Sequence, residues 1–213
     1  MPYSQMVQRA RRYRFLHEFE KVLKLLKPGW EGTVSPCEEA LLRFERGKAY
    51  WERPDYMSAM RDFWAAYQLV QHVEDREDAA WIHNAYADIV GDLGERERAC
   101  TIFAKAYMEY APTGIVGGFL AWNWGRHLVA DGKPDLGIEL MQRGYNELLK
   151  ADSIERVCVV LDLAEALLGQ DRGDDAFVLL KEVEALVAIH KPNHHARFEA
   201  QLERACWEKR PAE

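Results

Sequence analysis

The chain has 213 residues, 48% of them hydrophobic and 30% charged, with a formal net charge of −7. This length suffices for one sizeable core or a row of small stacked ones, and seven Trp argue against disorder, because such side chains need burial or a partner. The acidic balance disfavours nucleic acid as the main ligand, since a phosphate-binding surface carries an excess of Lys and Arg.

Tyr3 to Lys27 comes first. Met6, Ala10, Tyr13, Leu16, Val22, Leu23 and Leu26 fall at helical spacing, so one helix is expected, closed by Pro28-Gly29. Phe15 and Phe19, with Val22 and Leu26, widen the apolar stripe to reach two neighbours. The segment either caps the rest of the chain or is the remnant of a degenerate helix pair. Residues 1 to 27 hold seven Lys/Arg and two acids, a charge of +5, which leaves −12 for the rest. A basic helix salted onto an acidic body explains Arg9, Arg11, Arg12 and Arg14 with fewer assumptions than contact with nucleic acid or anionic lipid. Trp30 to Pro36 is a loop, and Ser35-Pro36 sets Pro in the first turn of the next helix.

From Pro36 onward the pattern repeats. Ala59, Ala99, Gly137 and Ala176 lie 40, 38 and 39 residues apart. Twelve residues before them stand Gly47, Ala87, Gly125 and Ala164, all small; four after them stand Phe63, Phe103, Met141 and Leu180, all large and apolar. Seven after them, Ala66, Ala106, Gly144 and Val183 are small in three of four cases. Such a period is the signature of stacked helix pairs, in which small residues let helix axes approach and a large one fills the space beside the crossing. The turns agree with one another: ERPDYMS, DLGERER, ADGKPDL and QDRGDDA each place Gly, Pro or Asp before the second helix. The fourth has Asp171 where the turn Gly of the second and third would sit. Pro112 stops the second helix of copy two, and Gly114 to Gly118 reads as a Gly-rich loop. His195 to Arg210 is one last helix, with Phe198, Leu202 and Cys206 on its apolar face and a solvated face of Glu199, Glu203, Arg204 and Glu208, suited to capping an array.

These four segments resemble the tetratricopeptide repeat (TPR), over Pro36 to about Ile189. The period of 38 to 40 exceeds that family's 34 and is similar to the repeat domains of bacterial peptide-sensing regulators. The resemblance implies an all-α, right-handed superhelix of about four TPR-like helix pairs with flanking N- and C-terminal helices. Residues 1–35 form the basic N-terminal helix and loop, and residues 36–213 the array with its C-terminal capping helix.

If the small residues of the first helices point into the core, residues on the opposite side face the concave surface. The candidate peptide-binding residues are Lys48 and Trp51 in copy one, Trp81, Asn84 and Asp88 in copy two, Trp122, Asn123 and Arg126 in copy three, and Asp162 and Glu165 in copy four. An amide presents a donor and an acceptor to an extended backbone, a cation holds a carboxylate, and Trp takes an apolar side chain. The bland alternative is that the aromatics pack between repeats and that Asp162 and Glu165 are a solvated acidic face.

Other chemistry is not indicated. Cys37, Cys100, Cys158 and Cys206 form no C-x-x-C pair and read as buried thiols of a reducing compartment, the cytoplasm. His190, His194 and His195 have no Cys or acid at ligand spacing, so a polar helix entry is expected and no metal. Gly114 to Gly118 lacks a following Lys-Ser/Thr, so no phosphate cradle is expected. With no catalytic grouping and no cofactor signal, the expectation is a non-enzymatic scaffold for a peptide or protein segment, with no membrane span and no nucleic acid except through the basic helix. The alternatives are a peptide-sensing regulator acting on transcription or a signalling protein, and a self-association module forming a homo-oligomer through the aromatic face.

Overall fold

The computed structural model describes residues 3–27, 29, 33–110 and 113–207, apart from the side chains of Pro192 and Trp207. Among them every α-helix and 3-10 turn belongs to one of two compact units, residues 1–110 and 111–213. The first unit holds α1 (Tyr3–Phe15), α2 (Phe19–Leu25), α3 (Pro36–Glu52), α4 (Tyr56–Gln68), α5 (Arg76–Asp92) and α6 (Arg96–Tyr110). The second holds α7 (Gly114–Ala130), α8 (Pro134–Lys150), α9 (Arg156–Leu168), α10 (Gly173–His190) and α11 (His195–Trp207). Within each unit consecutive helices pack as pairs, α1 with α2, α3 with α4, α5 with α6, α7 with α8 and α9 with α10. No strand occurs among the described residues, and no helix there is long and apolar enough to cross a membrane.

The single helix expected over Tyr3 to Lys27 is in fact two. His17 takes φ 56°, its amide bonds Arg14 O at 2.9 Å, and the Glu18 amide reaches back to Tyr13 O at 2.9 Å. This is the Schellman closure, with His17 in the left-handed position usually held by Gly. Without a Gly there is no local stop signal, and the apolar periodicity runs through the break. The same closure ends α5 at Gly94 and α7 at Gly132, with φ 99° and 78°. It ends α9 at Asp171, φ 57°, so the missing turn Gly of copy four changes the residue but not the turn. The stops expected from Pro28 and Pro112, most of the Trp30 to Pro36 loop before Thr33, and Glu208 to Arg210 of the last helix lie outside the described residues.

Helix starts follow the capping residues. Ser35 and Glu38 form a reciprocal capping box at α3, with Pro36 in its first turn. Asp55 caps α4 and Asp75 caps α5 through the amides of Ser58 and Asp78. Gly114 to Gly118 opens α7 instead of forming a loop. Its start is capped from another helix: the Gly114 amide donates to Glu147 Oε2 of α8 at 2.8 Å. The glycines there serve packing, since a Cβ on Gly118 would lie 2.6 Å from Leu148 Cγ.

The small residues stand at the crossings. Ala59, Ala87, Ala99, Ala164 and Ala176 are wholly buried, as are Phe103 and Leu180. A Cβ on Gly47 would meet the Phe63 ring at 2.7 Å, and one on Gly125 would lie 2.5 Å from Gly137 O. A buried ion pair joins α3 to α4, Arg46 donating to both Asp62 oxygens at 2.7 and 2.8 Å, and a further bond from Arg46 to Leu26 O at 3.2 Å, just beyond α2, ties on the first helix pair. The cysteines are less buried than the sequence suggested, with Cys37, Cys100 and Cys158 partly exposed and Cys206 exposed.

His83 sits within an aromatic cluster, its ring 5.0 Å from Tyr67 and 5.1 Å from Tyr110, each edge-on. Nδ1 donates to Ala79 O at 3.0 Å, and Nε2 is buried with no hydrogen-bond partner among the described residues. Burial lowers its pKa, against the opposing pull of the Ala79 carbonyl and Glu109.

Three outcomes are expected from this packing. Phe103→Ala lowers the unfolding free energy by about 3 to 5 kcal/mol, the cost of emptying a large core site; a urea titration showing a loss under about 1 kcal/mol would refute the register. Gly125→Ala gains about 1 kcal/mol in helix propensity but forces Cβ against the Gly137 carbonyl, so a net loss of about 1 to 3 kcal/mol is expected in the same titration. Because folding disfavours charged His83, its contribution is complete above the unfolded pKa, about 6.5, and is lost as pH falls toward the lower folded value. Stability measured at pH 7, 6 and 5 therefore falls less steeply in His83→Leu than in the parent chain.

Candidate functional site

In the first unit Lys48 is drawn into the protein's own ion pairs. Lys48 Nζ lies 2.9 Å from Glu45 Oε1 and 3.8 Å from the Phe44 ring centre. Glu45 is wholly buried and also receives Arg11 Nε at 3.1 Å and Arg14 Nε at 3.3 Å from α1. Arg11 extends to Asp78 near the start of α5. Burial alone would push Glu45 up, but Lys48, Arg14 and Arg11 together hold it below the usual carboxylate range. Burial lowers Lys48 to about 8, with Glu45 offsetting only part of that cost. Lys48 is thus committed to Glu45, and the basic cluster on α1 serves in part to neutralise that buried acid.

Trp51 is half-buried, packing edge-on against Tyr56 at 5.7 Å and leaning on Phe63 at 6.2 Å, both on α4 of its own copy. Trp81 and Asp88 are partly exposed on α5, whereas Asn84 is only 6% exposed. Asn123 of α7 is likewise 6% exposed, so neither amide is openly presented.

The second unit brings three candidates to one place. Arg126, Asp162 and Glu165 line an open cleft of about 570 Å³, together with Arg197 and an apolar side formed by Val129, Pro134, Met141 and Ala166. Trp122 Nε1 donates to Asp162 Oδ2 at 2.8 Å, which fixes the carboxylate from the α7 side. From the other side Arg197 donates to Asp162 Oδ1 at 2.7 Å. Gln201 reaches Leu161 O and Glu165 Oε2, both at 2.9 Å, and Arg204 reaches Glu165 Oε1 at 2.8 Å. Gln201 first, and then Arg204 and Arg197, hold Glu165 below the usual carboxylate range against the opposing effect of burial.

Sequence reasoning missed Arg197 and Gln201 and placed Arg204 on a solvated face. Their spacing of i, i+4 and i+7 lays all three on one side of α11, opposite the acids of α9. The signal was a basic and amide stripe facing an acidic pair 35 to 39 residues away, which a scan for local motifs does not join. An ionised Glu165 is not a proton donor at neutral pH, and the cleft is fitted for hydrogen bonding and ion pairing.

No family profile matches the sequence, and no curated protein matches it. Solved structures do match the fold. The apo form of RapI superposes with a TM-score of 0.74 at 12% identity, over 93% of this chain and 75% of that one. TTC0263, a thermophilic TPR protein of Thermus thermophilus, superposes with a TM-score of 0.69 at 14% identity, over 95% of this chain and all of that one. At such identities the likeness carries the architecture alone, and by its helix pairs, their phase and these superpositions the chain has the fold of a TPR-type repeat protein.

Proposed function

We propose that the chain is a non-enzymatic, cytoplasmic scaffold that holds an extended peptide or protein segment against its first-helix faces, with the cleft of residues 111–213 as the principal contact. The observation that carries this is the convergence of Arg126, Asp162, Glu165 and Arg197 on one open cleft with an apolar side. Cleft and segment suit each other chemically: an extended backbone offers carbonyls to Arg126 and amides to the two carboxylates, and a side chain rests on Val129 and Ala166. In this reading residues 1–35 are a lead segment and residues 36–213 the working array.

The regulator alternative calls for a basic first helix free of the core. Val7 and Ala10 of α1 are buried, and Arg11 and Arg14 are bound to Glu45. Both observations support the scaffold reading and leave fewer free cations for nucleic acid.

Peptides selected from a random display library against the full chain should lose at least about tenfold in affinity, roughly 1.4 kcal/mol, when Arg126→Ala and Glu165→Gln are combined. The melting temperature should move by no more than a few degrees, since both side chains border the cleft. Peptides that bind parent and double variant equally would sink the reading.

A further inference from the structure

The fold uses only part of the basic character of α1. Val7 and Ala10 are buried, and Arg11 and Arg14 turn inward to meet Glu45 of α3. Arg9 and Arg12 lie on the other side of the helix and are exposed. No acid occurs in α1, and the Arg12 side chain makes no hydrogen bond or ion pair among the described residues. The basic surface runs on into α2. Arg9 Nε donates to Tyr13 Oη at 2.9 Å, and the Arg9 guanidinium and Lys21 Nζ both lie against the Tyr13 ring, 5.3 and 5.6 Å from its centre. Tyr13 thus sets a cation of each helix side by side, and exposed Lys24 continues the line one turn along α2. The two acids of this corner are already engaged, Glu18 by Lys21 at 2.6 Å and Glu20 by Arg53 at 3.0 Å.

At the end of α1 stand Phe15 and Leu16, 82% and 52% exposed. They follow Arg12 by three and four residues and so share its side of the helix. Tyr56 and Met57 are the other exposed large apolar neighbours in sequence among the described residues, but Tyr56 rests on Trp51, and the acids Glu52 and Asp55 flank the pair. At the corner of α1 and α2, by contrast, the apolar pair is bordered by cations, the combination that marks an interaction surface and not incidental exposure.

We propose that this corner docks on an anionic phospholipid bilayer. Phe15 and Leu16 enter the boundary between headgroups and acyl chains, while Arg9, Arg12, Lys21 and Lys24 lie among the anionic headgroups. Charge complementarity calls for an anionic partner, and the apolar pair selects among such partners. Nucleic acid would answer the cations but leave Phe15 and Leu16 in water. A folded acidic protein would need a hollow matched to two side chains projecting from a helix end, whereas the bilayer interface is fluid and moulds around them. Two apolar side chains and a few cations make a reversible surface contact, unlike the insertion of a spanning helix. The contact involves residues 3–27 alone and is independent of peptide binding in the cleft.

The test is co-sedimentation of the full chain with phosphatidylcholine vesicles containing about one third phosphatidylserine, at an ionic strength of about 0.1 M. The chain is expected to pellet with them, to bind pure phosphatidylcholine vesicles at least about tenfold more weakly, and to be released as salt is raised to about 0.5 M. Phe15→Ser combined with Leu16→Ser weakens binding at least about tenfold. Arg12→Glu combined with Lys24→Glu does the same, since one cation near the surface is worth roughly fivefold. All four side chains are exposed, so the melting temperature of each variant stays within a few degrees of the parent. A parent chain that stays in the supernatant, equal binding to neutral vesicles, or undiminished binding in either double variant would overturn the proposal. Binding that falls with charge reversal but not with Phe15→Ser and Leu16→Ser would make the surface a purely electrostatic contact, of the kind nucleic acid uses.

Discussion

Backbone meets backbone where α7 crosses α8, and the packing of the second unit depends on it. A Cβ on Gly125 would stand 2.5 Å from Gly137 O, and one on Gly137 would stand 2.6 Å from Gly125 O. One heptad along, a Cβ on Gly144 would stand 2.7 Å from Gly118 O and 3.0 Å from Trp122 N. Four helical glycines forgo about 1 kcal/mol each in propensity relative to Ala. Close contact along a 17-residue pair offsets this by dispersion and burial. The seam also fixes the rotation of α7: with Gly118 and Gly125 against α8, Trp122 and Arg126 are turned toward α9 and the cleft.

The first unit reaches the same phase by another means. Gly47 faces the Phe63 ring rather than backbone, so α3 and α4 are kept apart by an aromatic side chain, and the space beside the crossing takes a buried ion pair. Arg46 and Asp62 form a two-pronged contact in which every bond is charge-assisted. Removing either partner would leave a buried charge uncompensated, the arrangement in which such pairs matter most. Glu45 repeats the theme with three cations, two of them from α1. The +5 at the start of the chain is therefore in part an internal counter-charge for the one acid buried in α3.

Legibility in the sequence followed the range of each interaction. The crossings could be read because small and large residues recur at fixed offsets within one pair, so Gly47, Ala87, Gly125 and Ala164 were found at their proper faces. Turns could be read where Gly94 and Gly132 mark them, but His17 and Asp171 adopt the same left-handed geometry without the residue that usually signals it. Gly114 to Gly118 misled in the other direction, since its glycines record how near α8 comes and not a loop. Burial of Asn84 and Asn123 escaped notice because a helical wheel gives direction but not how closely neighbouring helices cover that side. The cleft was half legible: Arg126, Asp162 and Glu165 follow from the phase, whereas Arg197, Gln201 and Arg204 belong to a helix whose partner is set only by tertiary packing.

That packing determines how the cleft would recognise anything. Asp162 meets Trp122 and Arg197, and Glu165 meets Gln201 and Arg204, so both carboxylates have donors from the protein itself. The lining pairs two Arg with two acids, and a cleft of zero formal charge exerts little long-range pull on a charged partner. A segment held there on the proposed reading displaces water from groups already oriented, gaining from burial along Val129 and Ala166 and from short polar contacts. Its affinity is then expressed in how slowly it leaves rather than in how fast it arrives. On the proposed reading, selectivity in this cleft therefore rests on shape and hydrogen-bond register.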